Sequence, residues 1–289
     1  MSTNQTKKRS QFVEIWQRLK RNKMAMVGLA ILFILVLGAI FADVICDYDT
    51  MVIKQDIANR LQGPSADHWF GTDEFGRDIF ARILHGSRVS LIVGIISVSI
   101  ALILGGAFGA FAGFYGGKVD MVIMRVMDVF LAVPSILLSM TIVAALGTDL
   151  VYVMLAIGIS SVPNYARIVR AAVMSVKDQE FVEASKAMGA SNATIIFKEI
   201  LPNCLAPIIV QATLSVAGAI LSTASLSFIG LGVQPPDPEW GAMLSSGRQY
   251  MRDALHLTLF PGLAIVITIL ALNLLGDGLR DALDPRLKQ

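Results

Sequence analysis

The chain has 289 residues, of which 55% are hydrophobic and only 16% charged, with a mean hydropathy of +0.65. Soluble domains average about 25% charged residues, and here the apolar residues gather into long runs that each cross about 30 Å of hydrocarbon as a helix, so an all-α, polytopic membrane protein is expected. A net charge of +2 selects no polyanionic partner, and two cysteines without a CxxC, Cys46 and Cys204, placed at opposite membrane faces by the topology below, suggest neither a disulfide nor a zinc site.

Residues 1–23 carry Lys7, Lys8, Arg9, Arg18, Lys20, Arg21 and Lys23, with Phe12, Ile15, Trp16 and Leu19 at helical spacing. This reads as a basic cytoplasmic tail with an interfacial helix. The first apolar run begins late, after that tail, so no cleavable signal peptide is expected. Residues 24–45 form the first span, and residues 46–88 an extracytoplasmic segment containing GTDEFGRDIFARILHGSR. Within it, Ile79, Ile83 and Leu84 share one face with Arg82 and Arg88 off it, which predicts a helix on the outer surface ahead of the second span. His68 and His85 lack a nearby carboxylate pair and read as surface residues rather than metal ligands.

The second span covers about residues 89–114, where Gly105, Gly109, Gly113 and Gly117 recur every four residues. Small residues at that spacing let helices approach closely, and this stretch is the candidate for contact with a partner. The neighbouring GFYGGKVD has no Ser or Thr after Lys118 and no preceding strand, so it is not a phosphate loop, and any ATP is handled by another polypeptide. The third span, about 119–146, holds Arg125 and Asp128 three residues apart, candidates for an intramembrane ion pair or a path, followed by Pro134. The fourth, about 150–170, ends in Asn164, Arg167 and Arg170. A cytoplasmic loop at 171–205, a fifth span at 206–232, an irregular outer segment at 233–256, a sixth span at 257–278 and a cytoplasmic tail at 279–289 complete the chain, so that 89–278 is a five-helix core. With this topology sixteen of the 24 Lys and Arg lie inside and seven outside, with Arg125 in a span, which places both termini in the cytoplasm.

The loop is the most patterned stretch. Phe181, Ala184 and Met188 fall on one face of a short helix, with Asp178, Glu180 and Lys186 elsewhere. Gly189 suits the left-handed conformation that ends it, Ser191 or Asn192 caps a second helix, and Pro202 is expected to stop that helix after Ile196 and Ile200. A DNA-reading helix-turn-helix is disfavoured because Lys177, Lys186 and Lys198 are outnumbered by Asp178, Glu180, Glu183 and Glu199.

Glu183, Ala184, Gly189, Leu201 and Pro202 resemble the EAA loop of bacterial ABC-importer permeases, with Ser185 where a second Ala is usual and Glu199 where an apolar residue is usual. GTDEFGRDIFARILHGSRVSL, MRVMDVFLAVPSILL, GLGVQPPDPEWGAML and NLLGDGLRDALDPRLK extend the resemblance to the dipeptide, oligopeptide and nickel importer permeases, C-type subunit, over about residues 12–288. The resemblance implies six transmembrane helices in a type I importer fold and a multi-pass protein of the cell (inner) membrane. It also implies a homologous second permease, two ABC ATPase subunits that bind ATP and Mg, and an extracytoplasmic solute-binding protein, with no cofactor on this chain and no catalytic residue. Glu183 would seat the loop in an ATPase groove and Gly189 would shape its turn, with Ala184, Ser185, Leu201 and Pro202 completing the coupling loop. Peptides are the expected cargo and nickel the alternative within the family. A channel or secondary transporter would need no ATPase-docking knob. An intramembrane aspartyl protease using Asp128 and Asp277 would need Gly where Leu274 stands.

Overall fold

The computed structural model describes residues 11–283, and the expected basic cluster Lys7, Lys8 and Arg9 and the tail beyond Leu283 lie outside them. Among these residues twelve α-helices follow one another: α1 Gln11–Leu19, α2 Lys23–Ile40, α3 Ala42–Ile45, α4 Ile79–Tyr115, α5 Gly117–Leu131, α6 Ser135–Leu146, α7 Leu150–Val176, α8 Glu180–Ala187, α9 Asn192–Thr194, α10 Leu201–Phe228, α11 Trp240–Gly247 and α12 His256–Leu283. No strand occurs among the described residues.

Among the described residues, four helical stretches are long and apolar enough to cross a membrane: α2, α4, the run from Asn192 through Phe228, and α12. The pair α5 and α6, which meet at an angle of 82°, makes a fifth crossing only if the two halves together form one span. The expected unbroken third span is therefore broken. Pro134 has no N–H to continue a helix and biases Val133 away from the α conformation, so the chain stops at Leu131 and restarts at Ser135. α7 is not among the apolar spans, because Asn164, Arg167 and Arg170 dilute it, yet its 27 residues are long enough and much of it is buried.

α4 is the hub, touching α2, α5, α7, α10, α11 and α12. Its closest neighbour is α7. A Cβ on Gly105 would lie 2.5 Å from the Val162 carbonyl oxygen and one on Gly109 2.4 Å from that of Ala166, while one on Gly113 would come within 2.9 Å of that of Arg170. The glycines thus serve packing within the chain. Gly117 does not share this role: it opens α5 with φ +53°, and a Cβ there would meet nothing within 4 Å.

The outer-surface helix expected at Ile79–Leu84 is the first turn of α4 itself, which runs unbroken for 37 residues because Ser87, Arg88 and Ser90 supply no break. Asp78 caps it by accepting from Ala81 N. Arg82, expected off the apolar face, is buried and donates to the Val52 carbonyl at 2.9 Å. His85, expected at the surface, is buried and bonded to the Cys46 carbonyl, while His68 meets Asp78 Oδ2 at 2.8 Å. The segment before α4 is an ordered cap built around Asp73, whose carboxylate accepts from Phe75 N, Arg77 N and Arg77 Nε. Arg82 Nε stands 3.5 Å from the same carboxylate. Glu239, fully buried, caps α11 through Gly241 N and Ala242 N, so the expected irregular segment at 233–256 contains a helix.

At the opposite end, α1 packs on α12 through Leu19, beside Ala25 and Ala282, and Asn22 Nδ2 donates to Asp281.

Candidate coupling site and charged cleft

Two features stand out at the end of the molecule where α4, α7 and α10 have their loop-proximal turns. The first is α8. Glu180 and Glu183 lie in its first turn and Lys186 in its last, matching the helix dipole. Its end is a Schellman motif: Ala190 N donates to the Ser185 carbonyl and Gly189 N to that of Lys186, with Gly189 at φ +82°. Ser191 then caps α9 by accepting from Thr194 N.

Pro202 does not end the second helix. The chain passes from α9 through a π-helical stretch, Ile195–Ile200, directly into α10, with Pro202 in the first turn of α10. The wider π spacing moves the hydrogen-bond register past the residue that has no N–H, and Asn203 Nδ2 takes up the Glu199 carbonyl at 2.6 Å. Loop and span are therefore one rod of 37 residues, Asn192–Phe228.

α8 turns Val182 and Ser185 inward. Val182 joins one apolar cluster with Ile195, Ile196 and Ile200 of the π stretch, Val169, Val173 and Val176 of α7, and Cys204 and Ile208 of α10. The position where Ser185 replaces Ala is thus an inner, small-residue position. Lys186 Nζ lies 5.8 Å from the Phe114 ring centroid, tying α8 to the end of α4. The residues of the expected apolar face point outward: Phe181 is 37% and Met188 82% exposed, with Ala184, also exposed, between them. Glu183 and Gly189 are also exposed, Leu201 is half-buried and Pro202 exposed. The result is an apolar knob ringed by acidic side chains and bolted to two long helices.

The second feature is a cleft of about 450 Å³ between α5 and α7, lined by Asp120, Met121, Met124, Arg125, Asp128, Arg167 and Arg170. The expected pairing of Arg125 with Asp128 is not formed. Asp128 accepts instead from Arg167 of α7 at 2.7 Å. Arg170 grips both oxygens of Asp120, with Nη2 to Oδ2 at 2.6 Å. Arg125 forms no ion pair among the described residues, and no group of three metal-ligating side chains occurs among them either. The sequence marks Arg170 only as the end of the fourth span and does not mark Asp120, since the 50 residues between them carry no local spacing signal. The Asp73 hub had a weak one, the four-residue spacing of Asp73 and Arg77 in GTDEFGRD.

Residues 105–289 match the family described as binding-protein-dependent transport system inner membrane component, and residues 10–64 match the N-terminal TM domain of oligopeptide transport permease C. The chain is 52% identical over 275 residues to the dipeptide transport system permease protein DppC of Alkalihalophilus pseudofirmus, covering 95% of this chain and 90% of the relative. It is 48% identical to the di/tripeptide transport system permease protein DppC of Pseudomonas aeruginosa, over 95% of this chain and 92% of that one. It is 46% identical to the glutathione transport system permease protein GsiD of Escherichia coli, over 97% and 92%. Among solved structures, an inward-facing MetNI methionine ABC transporter chain aligns with a TM-score of 0.57 at 20% identity, over 71% of this chain and 98% of that chain, a likeness of fold.

Proposed function

This chain belongs to the family of binding-protein-dependent transport system inner membrane components, multi-pass permease subunits of ABC importers rather than enzymes, and from that premise we propose that it moves di- or oligopeptides, with α8 as its coupling element. The observation that carries the coupling assignment is the outward apolar face of α8, Phe181, Ala184 and Met188, on a helix whose inner face is locked to α7 and α10. Contiguous apolar surface of this kind, outside the spans, marks a protein contact. An ATPase subunit is the partner proposed for it. Closure of an ATPase pair on ATP would displace α8, and the rigid connection through Ile195–Ile200 would pass that displacement into α7 and α10.

The complete machine proposed is this permease, a homologous second permease, two ATPases that bind ATP and Mg, and an extracytoplasmic solute-binding protein. The excess of Lys and Arg on the α8 side supports a cytoplasmic position for α8 and both termini. Peptide cargo is proposed because two relatives near half identity are named for dipeptides and di/tripeptides and a third for the tripeptide glutathione. Purification of the chain from native membranes with its partners, followed by ATP-driven uptake of a labelled dipeptide in proteoliposomes, tests the reading. Uptake that continues without the ATPases would refute it.

A further inference from the structure

The cleft between α5 and α7 holds three guanidinium groups, on Arg125, Arg167 and Arg170, against two carboxylates, on Asp120 and Asp128. Each carboxylate already occupies one guanidinium, Asp120 that of Arg170 and Asp128 that of Arg167. Arg125 lines the same space without a carboxylate of its own. A guanidinium is always charged, and its planar fork matches a carboxylate. Arg125 is exposed on the cleft wall, so its charge faces the open space where an incoming anion would arrive. The cleft is open and large enough for a small ligand, within the usual range of about 300–1,000 Å³ for such sites.

Position along the helix adds to the argument. Asp120 stands one turn from the start of α5 and Asp128 two turns further on, so the charged wall rises about 12 Å along the helix axis. Asp128 and Arg167 are 47% and 54% exposed, so their ion pair is open to exchange with an incoming anion. In the two pairs on the wall the guanidiniums meet carboxylates at hydrogen-bond distance, the geometry a peptide carboxylate would reproduce.

We propose that this cleft is a carboxylate subsite, in which Arg125, assisted by Arg167, takes the C-terminal carboxylate of a short peptide as it leaves the path, with Asp128 holding Arg167 when no peptide is present. The assignment rests on the peptide-importer reading above.

The test uses the complete complex, both permeases and both ATPases, in nanodiscs, without the binding protein so that its own selectivity does not enter. Met121→Cys, a pocket-lining position that is 63% exposed, serves as reporter for a neutral thiosulfonate reagent, and Cys46 and Cys204 are buried and do not compete. Dialanine is expected to slow the modification several-fold, and dialanine amide and inorganic phosphate at equal concentration are not. Arg125→Gln should raise the dialanine concentration needed by roughly tenfold, the effect of losing one charge-assisted hydrogen bond. Asp128→Asn, which frees Arg167, should lower it. Equal protection by the amide or by phosphate would overturn the carboxylate assignment, as would a reporter that is reactive in the isolated chain but silent in the complex, since the second permease would then fill the cleft. Absence of protection in a complex that, in parallel proteoliposomes supplied with the binding protein, takes up dialanine with ATP would sink the subsite and leave the transport reading intact. Absence of uptake by the unmodified complex in those proteoliposomes would sink the transport reading itself.

Discussion

Arg167 on α7 donates to Asp128 on α5 at 2.7 Å, and Arg125, one turn before Asp128 on the same helix, is left out of the pair. The charges of the third span therefore tie two helices together rather than stiffening one. Both partners are about half exposed, and exposed ion pairs contribute about 0–1 kcal/mol. Asp128→Asn should accordingly shift the thermal unfolding of the purified complex by less than about 1 kcal/mol in equivalent stability. A large loss would mean that the pair is a structural clamp.

The Asp73 hub of the outer cap should behave in the opposite way. Its carboxylate side chain is 8% exposed and that of Arg77 5%, and removing Asp73 leaves the buried Arg77 only the longer, 4.0 Å approach to Glu74. Asp73→Ala is expected to cost about 3–5 kcal/mol, seen as loss of folded protein in size-exclusion chromatography or a sharp fall in Tm. An unchanged Tm would show that water reaches Arg77 and Arg82.

Substitutions to alanine at two glycines of α4, three residues apart, should differ in sign. A Cβ at Gly109 would sit 2.4 Å from the Ala166 carbonyl oxygen, so Gly109→Ala has to push α4 from α7, at a cost of about 1–3 kcal/mol. A Cβ at Gly106 meets nothing within 4 Å, and Gly106→Ala should stabilise by up to about 1 kcal/mol through helix propensity. Differential scanning of the two variants separates a packing role from a generic dislike of substitution in this helix.

Much of this architecture was legible in the residues. Apolar runs located the helices, and Gly189 and Ser191 are the turn and cap that their types suggest, because those signals act within a few residues. Signals failed where two local preferences competed. Pro202 reads as a stop, yet a π turn and Asn203 absorb its missing N–H and the helix continues. The third span reads as one helix through Pro134, yet the chain breaks there and α5 and α6 diverge by 82°. Charge pairing failed for a different reason: the three-residue spacing of Arg125 and Asp128 is a local possibility, and the partner that α7 supplies lies 39 residues away. Long-range pairs such as Asp120 with Arg170 leave no mark in one sequence.

The turn after α8 carries the mechanical prediction. Gly189 holds φ +82°, which proline, fixed near −65°, does not adopt, and its N–H completes the Schellman motif with Lys186. Gly189→Pro should leave the chain in the membrane, since Val182 and the Ile195–Ile200 cluster lie apart from the turn, while ATP-driven uptake falls and ATP hydrolysis becomes uncoupled from it. Uptake at the unsubstituted rate in a full complex would argue against a rigid coupling element.

The measurement closest to the central claim is photo-crosslinking from position 188 in the ATP-hydrolysing, peptide-transporting complex. Met188 is 82% exposed at the tip of the α8 knob, and Val44, equally exposed at 82% near the other end of the first long helix, is the control. A photoreactive side chain in place of Met188 is predicted to capture an ATPase subunit, with a yield that changes between nucleotide-free and ATP-bound states, and one in place of Val44 to capture none. An active complex in which position 188 yields no ATPase adduct in any nucleotide state would contradict the assignment of α8 as the coupling element.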